Sequence, residues 1–425
     1  MEFKLPYGRG YETLTISDNI DVECLIGSVY DKTPEKSGIE LVEVAMAKPY
    51  GGLSLKEMAK TTKNAVIICS DHTRPVPSKA IIPPMLKNLR AGNPDIDITL
   101  LIATGFHRLT TKEELMAKFG PEIVENENII VHDSGNQDSL VNLGTLPSGA
   151  ELWINKLAVE CDLLLAEGFI EPHFFAGFSG GRKSVLPGIA GRQTVLGNHC
   201  GAFIGHECAR TGILDGNPLH KDMCAAADMA KLKSIVNVVI NGQKQALHAF
   251  AGSWSEAHSA GCDYLRDLAG VNPSRKADIV ITSNGGYPLD QNIYQAVKCM
   301  TAAEAAAAKD AVIIAAAFCE DGTGSEDFYQ DLANCPSPDE LYERLYTTPM
   351  DKTRPDQWES QVLARVMIKH KIIFVCNEKI RPFAERMKLM TAATLDEAFD
   401  MALALKGKNA KVTIIPDGVS VIVEA

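Results

Sequence analysis

Between Cys161 and Cys200 the chain reads CDLLLAEGFIEPHFFAGFSGGRKSVLPGIAGRQTVLGNHC. Residues 163–166 form a short apolar run that predicts a buried strand. Glu171, Pro172 and His173 follow, then a loop with glycines at 177, 180, 181, 188 and 191. Glycine at this density permits positive φ and close backbone approach to a ligand, at an entropic cost that an ordinary connection need not bear. His173, Lys183 and His199 are the groups here that can do chemistry. Neither histidine has the spacing of a helical or hairpin metal motif, and either alone reads as a structural residue before a functional one. Taken with the lysine and the glycine loop, a cofactor or anion site stands level with the structural reading.

Working outward, the same design recurs. An apolar run at 65–69 leads directly into SDHTRPVPSKA, where Pro75 and Pro77 exclude a regular central strand and Ser78 is expected to cap a helix. Asp71, His72 and Arg74 therefore lie on a loop at the carboxyl end of a strand, where ligands bind in open α/β sheets. A strand at 96–103 ends in Thr104, Gly105, Phe106 and His107, with Thr110 or Thr111 capping a helix through Phe119. A third strand is expected at 128–132. Three strand ends thus carry Arg74, His107 and His173, and parallel strands deliver such ends to one sheet edge. Imidazole titrates near neutrality, so the two histidines could serve as base and acid on opposite faces of a substrate. Arg74 could hold a carboxylate bidentately. In the structural alternative, Arg74 pairs with Asp71 and both histidines bond to backbone.

The remaining elements extend the α/β pattern. A strand is expected at 22–30, a helix from Asn217–Pro218 to Met229, a strand at 234–240 with an antiparallel neighbour at 246–250, and a helix at 255–268. Asn272, Pro273 and Ser274 mark a boundary. Beyond it, a strand at 277–282 precedes a helix at 291–307, on which Gln291, Tyr294 and Lys298 would share one face. Strands at 311–318, 371–376 and 411–415 alternate with helices at 355–369 and 393–405. The expected fold is two α/β domains, 1–272 and 273–408, with the active site in the interdomain cleft. Residues 409–425 form a terminal strand and tail able to pack back on the first domain.

Composition bounds the function. At 425 residues the chain exceeds the size one core usually serves. Its 46% hydrophobic and 23% charged residues are those of a globular protein. A net charge of −12 argues against a nucleic-acid surface, which needs a basic footprint. No apolar run approaches the roughly 18 residues of a membrane span, and MEFKLPYGRG lacks a signal core, so no membrane partner and cytoplasmic residence are expected. The eleven cysteines include no CxxC pair, which favours neither disulfides nor a thiolate zinc site. GFSGGRK lacks the GxGxxG turn of a nicotinamide dehydrogenase.

DHTRP at 71–75, GFH at 105–107 and EPH…GGRKSVLPGIAG…NH through His199 together resemble the nickel-dependent lactate racemase family, with Lys298 and Trp358 where that family has substrate-side residues. The resemblance spans essentially the entire chain. It implies a nickel-pincer nucleotide, a pyridinium mononucleotide covalently attached at Lys183 through a thioamide whose sulfur binds nickel, with His199 as the protein ligand and Asp71 near the cofactor. His107 and His173 match the two catalytic histidines. Arg74 and Lys298 match substrate-carboxylate positions, and Gln291, Tyr294 and Trp358 would shape the pocket. The implied reaction is interconversion of D- and L-2-hydroxy acids, lactate by default, by reversible hydride transfer through a bound 2-keto acid. The alternative within the family is racemisation or C2-epimerisation of malate, an aromatic or short-chain 2-hydroxy acid, or a sugar acid. Cofactor-maturation enzymes are implied partners.

Overall fold

The computed structural model describes residues 1–29 and 31–424, and its chain divides into two compact units. One comprises Ser28–Asn198 and Ile213–Leu268; the other comprises Met1–Gly27, His199–Gly212 and Ala269–Ala425. By compactness, residues 1–27 and 199–212 group with the carboxyl-terminal part, and 213–268 with the internal unit.

The larger internal unit is built on a six-stranded sheet in the order Ala246–Ser253, Leu232–Ile240, Leu163–Phe169, Asn64–Ser70, Asp97–Ala103, Asn128–Val131. All neighbours are parallel except the Ala246–Ser253 edge strand, which runs antiparallel as expected. Leu163–Phe169 is buried at every position, which suits a parallel strand covered on both faces. Ile67, Leu100, Leu165 and Val236 join Ile81, Met85 and Leu89 of the helix Ser78–Gly92 in one core. That helix runs through Pro83 and Pro84, which the sequence reading made only partly helical. Proline removes two backbone donors there, and burial of its apolar face outweighs the loss. Ser78 is not the cap: Pro77 precedes the helix without a side-chain cap, and the Ser78 hydroxyl donates to Glu167 instead. Thr111 does cap the helix Lys112–Phe119, in a reciprocal capping box with Glu114.

The second unit carries six parallel strands in the order Met390–Ala392, Lys371–Val375, Ala307–Ala316, Ala277–Ser283, Val412–Ile415, Val22–Cys24. The strand expected at 22–30 ends at Cys24, and Tyr30 lies outside the described residues. Val412–Ile415 sits between Ala277–Ser283 and Val22–Cys24, which explains why the amino terminus belongs to this unit. The hairpin Glu2–Tyr7/Gly10–Thr15 adds Leu5 and Leu14 to a core shared with Ile281, Ile314 and Phe399. No helix is long and apolar enough to cross a membrane among the described residues.

Candidate active site

Three neighbouring strands of the internal unit, Leu163–Phe169, Asn64–Ser70 and Asp97–Ala103, end at one edge of its sheet. Asp71 follows the second and His107 lies just past the third. The His107 Nδ1 is 2.7 Å from Asp71 Oδ2, and the Asp71 carboxylate also accepts from the Thr73 hydroxyl at 2.7 Å. Burial would raise the Asp71 carboxyl, but the His107 and Thr73 hydrogen bonds, with the charges of His107 and Arg74, hold it below its ordinary value. His107 remains 39% exposed beside its fully buried partner. Arg74 is exposed and makes no ion pair with Asp71, so the alternative pairing does not form.

Glu167, just past the apolar run expected at 163–166, is buried on the strand Leu163–Phe169. It accepts from the Ser70 amide and hydroxyl, each at 2.8 Å, and from Ser78 at 3.2 Å. It thereby ties the start of the Asp71–Arg74 loop to the following helix. Only an acidic residue interrupting a buried strand could have signalled it.

His173 lies on the short hairpin Pro172–His173/Gly177–Phe178. Its Nδ1 accepts from the Ala176 amide at 3.3 Å, and its ring meets Phe174 and Phe175 at 5.2 and 4.5 Å. Lys183 sits on a 3-10 turn, Gly181–Ser184, with its ammonium 5.8 Å from the Phe175 ring centre. Gly180 and Gly181 both have positive φ, and a β-carbon on Gly181 would lie 2.6 Å from His258. The neighbouring Arg182 is completely buried. Its guanidinium donates to the Ala176, Ser179 and Gly180 carbonyls and to His220 and His258, with no ion pair among the described residues. Burial lowers the Arg182 pKa to about 10, and burial with the Arg182 charge lowers that of His220 to about 4. This buried cation stiffens the turn that carries Lys183, a role invisible in a sequence where Arg182 reads as one more basic residue.

The second unit holds the other candidates. His199 is buried, with its ring 5.1 Å from Trp358 in edge contact. The Trp358 indole donates to Tyr294 Oη at 3.0 Å, and Tyr294 donates to Asp356 at 3.2 Å, which also accepts from Ser325 at 2.8 Å. Lys298 donates to Gln295 at 2.6 Å. Tyr294 and Lys298 share the helix Ile293–Ala306, but Gln291 precedes its Asn292 cap and is not on that face. Gln291 lines instead a pocket of about 230 Å³ with Tyr7, Arg9, Tyr287 and Phe318. Burial and the carboxylates of Glu359 and Asp356 push the Tyr294 phenol well above its ordinary value, so it stays a donor.

No group of three or more histidine, cysteine, aspartate or glutamate side chains is arranged to hold an ion among the described residues.

The chain matches the lactate racemase N-terminal domain over residues 7–212 and the lactate racemase C-terminal domain over 272–423. It is 49% identical over 420 residues to the lactate racemase of Thermoanaerobacterium thermosaccharolyticum, covering 99% of this chain and 98% of that one. It is likewise 49% identical over 420 residues to that of Lactiplantibacillus plantarum, covering 99% of each. The lactate racemase apoprotein structure from T. thermosaccharolyticum superposes over the full length of both chains with a TM-score of 0.97 at 48% identity. A Thermotoga maritima protein shares the fold at TM-score 0.62 and 19% identity, covering 87% of this chain and 98% of that one. With both domain models matched and half its residues shared across nearly its whole length, the chain belongs to the lactate racemase family.

Proposed function

We propose that this protein interconverts D- and L-lactate, with His107 and His173 moving the hydroxyl proton and a nickel-pincer nucleotide held by Lys183 and His199. The observation that carries the reading is the Asp71–His107 pair at 2.7 Å, on the sheet edge where the strand leading to His173 also ends. The donor chemistry fits the cofactor: the Lys183 amine can form a thioamide, and imidazole nitrogen from His199 suits nickel. Once bound, that group supplies a carbon able to take up and return the α-hydride of the substrate. The protein's own residues do the rest. His107, anchored through Nδ1, offers Nε2 to the substrate hydroxyl; His173 serves the opposite stereochemical face. Arg74 and Lys298 bind the substrate carboxylate, and such positioning is a major source of acceleration. Tyr294 and Trp358 shape the substrate side. Separate maturation enzymes load Lys183. The free state of the cysteines suits a reducing compartment, the cytoplasm.

The test is a chiral product assay on protein co-produced with a cofactor-maturation system, with intact mass read on the same sample. Wild type should convert either lactate enantiomer to a mixture without added nicotinamide. His107→Ala and His173→Ala should each lose at least about 10²-fold in turnover while keeping the cofactor mass, and Lys183→Ala should lack that mass. Wild-type turnover in both histidine variants would remove their assigned roles. A loaded protein that inverts malate or phenyllactate but not lactate would move the substrate and leave the mechanism.

A further inference from the structure

The helix Gln357–Lys369 is buried on every side over residues 357–366, and its first two turns include the polar Gln357, Glu359, Ser360 and Gln361 where an enclosed helix is ordinarily apolar. Glu359 is the extreme case. It is 1% exposed, and its Oε1 has no hydrogen-bond partner among the described residues. A buried carboxylate without full hydrogen bonding is costly, and taking up a proton relieves that cost.

We propose that Glu359 takes up a proton when the carboxylate of a 2-hydroxy acid engages Lys298, so that substrate binding and protonation of this buried carboxyl are one linked event. The inference rests on the reading of Lys298 as a carboxylate-binding residue. The helix Ile293–Ala306 meets the helix of Glu359 through the Trp358–Tyr294 hydrogen bond at 3.0 Å, and the charged and titratable groups that act on Glu359 include Tyr294, Lys298 one turn further along Ile293–Ala306, and Asp356, from the turn before its own helix. Lys298 is the only cation of the three. Asp356 is already engaged by Ser325 and Tyr294 and opposes a second negative charge beside it. An incoming carboxylate therefore competes with ionised Glu359 for the charge of Lys298. Holding both anions in this buried place is worse than protonating one of them. The proton comes from solvent, and no bond other than this O–H forms.

The resting state agrees in sign. Burial raises the Glu359 carboxyl, Lys298 partly offsets this and Asp356 adds to it, which leaves it at about 8. Free enzyme then carries Glu359 neutral below that pH and ionised above it. Drawing the Lys298 charge toward a substrate raises the value further, so uptake is expected above about pH 8 and fades below it.

Calorimetric titration of the loaded enzyme with racemic lactate, in buffers of different ionisation enthalpy between about pH 7 and 9, counts the protons. Wild type should take up close to one proton per lactate at the upper end, with the lactate Kd rising about tenfold per pH unit above pH 8. Glu359→Gln should bind lactate with neither uptake nor that slope. Uptake that persists in Glu359→Gln, or is missing from wild type, overturns the proposal. Lys298→Ala tests the underlying reading separately: wild-type lactate affinity in that variant would remove Lys298 from carboxylate binding, whatever Glu359→Gln does. Should Glu359→Gln fail to fold, infrared difference spectra of wild type decide. Lactate added near pH 9 should raise a protonated-carboxyl C=O band, and its absence overturns the proposal.

Discussion

His107 and His173 differ in what occupies Nδ1. At His107 that nitrogen faces a carboxylate and must donate, so the neutral ring leaves Nε2 as a lone pair. At His173 it accepts from the Ala176 amide, so the neutral ring carries its proton on Nε2. Two histidines of one type are thus set to opposite tautomers by a side chain in one case and by backbone in the other. Asp71→Asn would present an amide to His107 Nδ1 and blur that assignment. Turnover should fall by about 10²-fold or more with the lactate KM little changed, read by steady-state kinetics in both directions. A variant with wild-type kcat would deny Asp71 this orienting role.

At the scale of elements, parallel neighbours bring Asp71 and His107 together, because Ser70 and Ala103 are paired residues and the next residues leave the sheet side by side. The Lys183 turn depends on a different device. Gly181 holds φ +54 with its amide bonded to Asn237 at 2.8 Å, and His258 fills the space a side chain would need. Gly181→Ala therefore meets both an unfavourable backbone region and a clash. It should cost at least about 1–2 kcal/mol, read as a lower urea midpoint, and reduce Lys183 loading read by intact mass. An unchanged midpoint would show that the turn accommodates a side chain.

For the molecule as a whole, one buried ion-pair cluster contributes to acid stability. In the unit that contains both termini, Glu304 and Arg365 are buried and 2.8 Å apart, with Lys369 at 2.9 Å from the same carboxylate. Burial opposes the Glu304 charge, but the two cations outweigh it and pull the carboxyl down to about 2. Because the folded value is depressed, this stabilisation is complete above the ordinary value of 4.5 and is lost as pH falls toward 2. Glu304→Gln leaves Arg365 buried beside a neutral amide and should cost about 3 kcal/mol at neutral pH, measured by urea unfolding. The deficit should shrink as the pH is lowered below about 4; a pH-independent deficit would assign it to packing.

Local pattern was enough for the α/β alternation, for the strand ends that carry Asp71, Arg74, His107 and His173, and for the glycine turn around Lys183, because apolar runs and glycines express constraints within a few residues. Other features came from contacts between distant segments. The pairing of Val412–Ile415 with Val22–Cys24 carries the amino terminus into the unit of the carboxyl-terminal strands. Asp71 faces His107 rather than Arg74 because two strands run parallel in one register. Glu167, Arg182 and Glu359 are polar residues whose burial depends on what packs over them, and a sequence lists side chains without stating which of them lose water. Gln291 falls off the expected face for a related reason: helix periodicity places residues on a face only inside the helix, and this helix begins at Ile293 after its Asn292 cap, beyond Gln291.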